Sequence, residues 1–180
     1  KYAKKDVADV LAYAKKNGFE DSKLMPWDFS YWSERLQKAE YSLDEELLKP
    51  YFQLENCIDA VFGLATRLYG ITFHELDNVP VYHDEVKVYE VKDADGSHLA
   101  LLYADFFPRE SKRGGAWMTN FVEQELGVRP VIVNVGNFAK PTADKPSLMT
   151  LDNVETLFHE YGHALHGLLS QCTYKSVSGT

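Results

Sequence analysis

Only two of the 180 residues are cysteine, Cys57 and Cys172, and both fall on the apolar stripes of predicted helices. A disulfide framework is therefore not indicated, and both thiols read as small buried hydrophobes. No apolar run approaches the roughly 20 residues needed to span a bilayer, so no membrane partner is expected. Cationic side chains are scarce as well: 19 Lys and Arg stand against 27 Asp and Glu, for a net charge of −8 and a pI near 5.2. That balance argues against nucleic acid or an anionic surface as the main partner. Pairs such as Lys4-Lys5 and Lys15-Lys16 read as solvated helix faces. Repeats, low-complexity tracts and an obvious linker are absent too. What remains, 45% hydrophobic and 26% charged, is ordinary for one globular domain or a large piece of one.

The first half has a helical period. Asp6 to about Asn17 carries Val7, Val10, Leu11 and Ala14 on one face and stops at Gly18. Trp27-Asp28 opens a second helix through Tyr31, Trp32, Leu36 and Ala39. Ser42-Leu43-Asp44-Glu45 is a capping box for a short third helix that Pro50 ends. Leu54 to Tyr69 is strongly periodic, with Ile58, Val61, Phe62, Ala65 and Leu68 inward and Gly70 after the end. The aromatics Trp27, Tyr31, Trp32, Tyr51 and Phe52 read as core. The period then changes: Val86 to Val91 alternates, Asp93-Ala94-Asp95-Gly96 is turn chemistry, His98 to Phe106 returns as a strand, and Pro130 to Val135 is another. The expected fold is predominantly α with a small antiparallel β-sheet, an α+β arrangement. Residues 1–75 are read as helical, 78–140 as sheet and loops, and about 153–170 as a last helix.

That last helix carries His159-Glu160-Tyr161-Gly162-His163. Four residues is slightly more than one turn, so the two imidazoles point the same way and their nitrogens can converge on one ion at about 2.0–2.1 Å. Glu160 projects roughly 100° away, beside such an ion and not on it. A carboxylate there can take a proton from an attacking water and return it to a leaving amine, and amide cleavage is the natural use. The pattern alone arises by chance in roughly one chain in a hundred of this length, so its surroundings decide. Asp152 is a candidate N-cap with Glu155 three residues on. Val154, Leu157, Phe158, Tyr161, Leu165, Leu168 and Cys172 form one apolar stripe, and Asp152, Glu155, His159, His163 and His166 form a second almost opposite it. An exposed helix would carry Lys and Glu there, not a row of imidazoles. Gly162 and Gly167, each costing roughly 1 kcal/mol inside a helix, suggest close packing against the backbone. The competing reading is a buried helix whose histidines are satisfied by hydrogen bonds.

A catalytic zinc has three protein ligands, and after Glu160 no Asp or Glu remains. Glu155 lies about 12 Å along the axis from His163, and His166 about 10 Å from His159, too far to share one ion easily. Orienting an imidazole suits Glu155 better, and packing or an outer shell suits His166 better. His74, His83 and His98 have no metal-like spacing and no assigned role. The chain opens at Lys1 without Met and ends in Ser-Val-Ser-Gly-Thr, so a segment of a longer protein is expected. The expected compartment is the cytoplasm, with room for a signal peptide ahead of Lys1.

Six segments, Leu24-Met25-Pro26-Trp27-Asp28, Leu47 to Phe52, Asn78 to His83, Lys112-Arg113-Gly114-Gly115-Ala116-Trp117-Met118, Arg129-Pro130-Val131-Ile132 and Leu157 to Gly167, cover nearly the whole chain in order. Together they resemble the thimet oligopeptidase and peptidyl-dipeptidase family of zinc peptidases, most of all its bacterial peptidyl-dipeptidase branch. The resemblance implies a zincin-like catalytic fragment, truncated at both ends, of a larger two-lobed and mostly helical peptidase. Its deep channel would admit short unstructured peptides and exclude folded proteins. One zinc ion falls to His159 and His163, the general base to Glu160, and the third ligand to a Glu on a further helix beyond Thr180. Alone, the chain would have little or no activity.

Within that family, release of C-terminal dipeptides competes with internal cleavage of short peptides. Gly114 to Met118 and Asn120-Phe121-Val122-Glu123-Gln124 favour the first. Capture of a terminal carboxylate needs a cation; Lys112 and Arg113 are candidates, and equally plain solvated charges. An exposed edge strand beside the metal helix can pair with an extended peptide. Ser111 to Trp117, with two glycines, is a candidate for that neighbourhood and equally a surface turn. Two further readings stay open: a catalytically silent peptide-binding or structural protein that keeps the fold, and a zinc hydrolase of non-peptide amides.

Overall fold

The computed structural model describes residues 2–42 and 45–180 and divides at Leu47/Leu48 into two compact units. In the first, helices α1 (Tyr2–Lys16) and α2 (Pro26–Tyr41) pack as a hairpin. Val10 and Ala14 are buried on α1, and Trp32 meets Tyr13, Phe19 and Tyr31 edge-on. Left-handed Ser42, with φ 52°, ends α2. The capping box read across Ser42 to Glu45 falls partly outside the described residues. Short 3₁₀ turns, Glu45–Leu47 and Lys49–Tyr51, stand where a third helix was expected, and Pro50 lies in the second of them.

The second unit holds α3 (Leu54–Tyr69), strands β1 (Thr72–Leu76), β2 (Lys87–Lys92), β3 (His98–Asp105), β4 (Trp117–Val122) and β5 (Val131–Val135), and α4 (Leu151–Leu168). Helix α3 has the bounds its period predicts, and Gly70 adopts φ 76° as its left-handed cap. The expected α+β class holds, with two differences of detail. The first strand begins at Thr72, inside the region read as helical, and the sheet is mixed. Its order is β1-β2-β3-β5-β4. All neighbours run antiparallel except β3 and β5, which are parallel from Leu101↔Val131 to Asp105↔Val135. The chain leaves β3, forms β4 at the far edge, and returns through a tight hairpin so that β5 inserts between them.

Helices α3 and α4 share one face of the sheet. Leu54, Val61, Ala65, Tyr89, Val91, Leu102, Ile132, Leu157, Tyr161, Ala164 and Leu168 form the common core. Several residues expected inside are at the surface: Trp27 is 73% exposed, and Tyr31, Tyr51 and Leu68 are exposed too. No described element covers them.

The two helical glycines of α4 separate. A Cβ on Gly167 would stand 2.7 Å from Ile132 Cδ1 and 3.1 Å from Met118 Cε, whereas nothing lies within 4 Å of one on Gly162. Gly167 is therefore where the helix seats on β4 and β5. Gly167→Val is expected to destabilise this chain by about 1–3 kcal/mol through overpacking. Gly162→Ala is expected to stabilise it by up to about 1 kcal/mol through helix propensity. Urea unfolding of both variants checks the pair.

Candidate metal centre and its supports

Helix α4 begins two residues earlier than its period suggests. Thr150, not Asp152, is the N-cap: its hydroxyl accepts from Asn153 N at 3.1 Å, and Asn153 Oδ1 accepts from Thr150 N at 3.3 Å. Backbone bonds from Leu54 N to Ser147 O and from Met149 N to Phe52 O tie this start to the head of α3. The helix ends at Leu168, so Cys172 lies beyond it, half-buried, with its thiol donating to Val177 O at 3.2 Å. Cys57 is buried as expected.

The apolar stripe of α4 is narrower than its sequence suggests: Leu157, Tyr161, Ala164, Gly167 and Leu168 are buried, while Phe158 is at the surface. Opposite them, Asp152, Glu155, His159, His163 and His166 are all exposed on the predicted polar face. Glu160 is half-buried at its border.

The Nε2 atoms of His159 and His163 stand 3.2 Å apart, with ring planes at 82°. Two nitrogens about 2.0–2.1 Å from one tetrahedral ion lie roughly 3.3–3.4 Å apart, so the pair has the spacing of two ligands to one metal. Imidazole nitrogen is also a donor that zinc accepts readily. Among the described residues no group of three His, Cys, Asp or Glu side chains is gathered for a metal. Three other histidines have local partners: His74 Nε2 lies 3.0 Å from Thr72 Oγ1, His83 Nδ1 accepts from Glu85 N, and His98 Nδ1 lies 3.0 Å from Glu90.

Beside α4, β4 is an edge strand of the sheet, pairing among the described residues with β5 alone. The Ser111 to Ala116 segment leads directly into it. That approach is held by a buried charge network which sequence reasoning missed. Asp105, 2% exposed at the end of β3, accepts from Arg109 Nη1 and Nη2 at 2.8 and 2.9 Å, Lys112 Nζ at 2.9 Å and Tyr82 OH at 2.8 Å. Lys112 Nζ also donates to Asp105 O and Phe107 O, both at 2.8 Å. All three of its protons are engaged and its side chain is 2% exposed. The reading of Lys112 as a solvated charge or a carboxylate-capturing one is therefore corrected: it is a buried brace. Arg113 is exposed, and Asn137 Nδ2 donates to Arg113 O at 3.0 Å and Gly115 O at 2.7 Å.

Burial pushes the Asp105 carboxyl up, but the bonds from Arg109, Lys112 and Tyr82 outweigh it and hold it below the usual range. Burial lowers Lys112 despite its carboxylate partner. The only sequence signal for this network was a lone acid closing the apolar run from Leu99 to Ala104.

The other end of α4 is fixed by Arg129, which donates to Leu168 O at 2.9 Å and Ser170 O at 3.1 Å, a cation on the last carbonyls of the helix. Buried Gln124 pairs with Cys172 twice, donating to its carbonyl at 2.9 Å and accepting from its N–H at 2.7 Å. Thus the β4–β5 hairpin holds both the edge strand and the chain leaving α4.

Two imidazoles four residues apart on a helix, with a glutamate beside the first, are a pattern that metallopeptidases use. The chain belongs to peptidase family M3, a family of metallopeptidases whose model matches residues 1–180. It is 50% identical over 157 residues to the dipeptidyl carboxypeptidase of Salmonella typhimurium and 49% over 158 residues to that of Escherichia coli, in each case covering 86% of this chain and 23% of the relative. It is also 42% identical over 188 residues to the organellar oligopeptidase A of Arabidopsis thaliana, covering 98% of this chain and 24% of that protein. The chain therefore spans about a quarter of the length of these relatives.

Proposed function

We propose that this chain forms part of a zinc peptidase that releases C-terminal dipeptides from short unstructured peptides, and that it works in the cytoplasm. The observation that carries the reading is the 3.2 Å convergence of His159 and His163 on one helix with Glu160 beside them. Those two imidazoles would hold the ion, together with a third ligand from beyond Thr180. When bound, zinc supplies a Lewis acid for the scissile carbonyl. Glu160 accepts the proton of the attacking water and delivers it to the departing amine. The outer edge of β4 pairs with the extended peptide and aligns its amide beside α4. Among the described residues no helix is long and apolar enough to cross a membrane.

Higher identity to the two dipeptidyl carboxypeptidases than to oligopeptidase A supports dipeptide release. Internal cleavage is the second reading, favoured by the 98% coverage of the match to oligopeptidase A. Metal analysis of the intact protein and of His163→Ala tests the centre. One zinc per chain in the first and far less in the second is expected; a full zinc complement in His163→Ala would remove that residue from the site.

A further inference from the structure

We propose that the recess between α3 and strands β1 to β3 binds a protonated amine carried on an aromatic or alkyl body. The recess encloses about 350 Å³, within the range of small-molecule sites. Its floor is apolar. Phe62 and Phe73 stack at 4.1 Å, Tyr89 meets Phe62 edge-on at 5.0 Å, and Ile58, Phe106 and Phe107 also line it.

The mouth is acidic, with Glu55, Asp59, Glu75 and Glu85. Two cations answer them: Lys87 pairs with Glu75 at 2.9 Å, and Lys140 with Glu85 at 2.6 Å. Four carboxylates against two ammoniums leave a net charge of −2, carried by Glu55 and Asp59 on the exposed side of α3. A separate observation points to a ligand. Tyr89 is 7% exposed and lines the recess, yet its hydroxyl has no hydrogen-bond partner among the described residues. The hydroxyl oxygen is accessible from the recess, where an incoming N–H can donate to it.

Each candidate ligand class meets these groups differently. An anion is opposed by the mouth, and a neutral apolar body leaves the phenol and the two carboxylates unanswered. An ammonium balances the carboxylates, lies against ring faces that attract cations and donates to Tyr89. The site is remote from the imidazoles but not insulated from them. Tyr161, next to Glu160, touches Phe62 and Phe73 at 5.7 and 6.1 Å between ring centres. An occupant would press on the rings that support the metal helix from behind.

The test is a ligand-observed NMR titration of the intact protein with 2-phenylethylammonium, 2-phenylethanol and 3-phenylpropionate. Saturable binding of the ammonium is expected, at least about tenfold tighter than either other probe. Glu55→Gln with Asp59→Asn, both at the surface, should weaken it about tenfold. Ile58→Trp, which fills the recess from the helix side, should abolish it with the circular dichroism spectrum unchanged. No saturable binding, equal binding of 3-phenylpropionate, or binding indifferent to either variant would each overturn the proposal.

Discussion

Glu160→Gln in the intact protein is expected to lower kcat by about 10²–10⁴-fold while leaving KM and zinc content near wild type. The substitution keeps the shape of a half-buried side chain on a helix whose core face, cap and C-terminal brace lie elsewhere. What it removes is the ability to accept a proton beside the two imidazoles. A general base contributes to the transition state and not to ground-state binding, so the loss falls on kcat. Initial rates on a blocked peptide, with metal analysis of the same sample, check it. A kcat within a few-fold of wild type would show that another group activates the water.

The second large effect is expected from Asp105→Leu, at about 3–5 kcal/mol of stability. Removing the carboxylate strands the Lys112 ammonium, which is enclosed and has Asp105 as its only anionic partner among the described residues. Asp105→Leu combined with Lys112→Met should recover much of that loss, because a buried pair replaced by apolar groups of similar volume is close to neutral. The acid dependence has a definite sign. Asp105 titrates lower in the folded chain than unfolded, so its contribution is complete above about pH 3.9 and is lost as pH falls from there through the folded value. Urea midpoints between pH 2 and 6, roughly spanning this window, should show a steeper acid limb for wild type than for Asp105→Leu. Parallel limbs would contradict the assignment.

The parts of this molecule that could be read from its residues are those governed by local geometry. Spacing of four on a helix brings His159 and His163 together whatever surrounds them, and Leu54 to Tyr69 combines an unbroken period with a glycine stop. The start of α4 was misread by two residues because Thr150 and Asp152 are both competent caps, and only the Thr150–Asn153 exchange distinguishes them. Strands β1 and β4 escaped because both are sheet edges with mixed burial, so neither alternates cleanly. The parallel β3–β5 pair depends on where β4 inserts, which no local pattern encodes. Lys112 and Arg113 are adjacent charges with opposite fates, one enclosed by Asp105 and two carbonyls, the other exposed. That difference arises from a carboxylate seven residues upstream in another element.

The most direct test of the zinc peptidase reading is mass spectrometry of the products from an N-terminally blocked decapeptide incubated with the intact protein, with and without a zinc chelator. Chelator-sensitive release of C-terminal dipeptides is the predicted result, and chelator-sensitive internal cuts would move the activity to the oligopeptidase side of the family. An uncleaved decapeptide in the presence of bound zinc, or cleavage indifferent to the chelator, would contradict it.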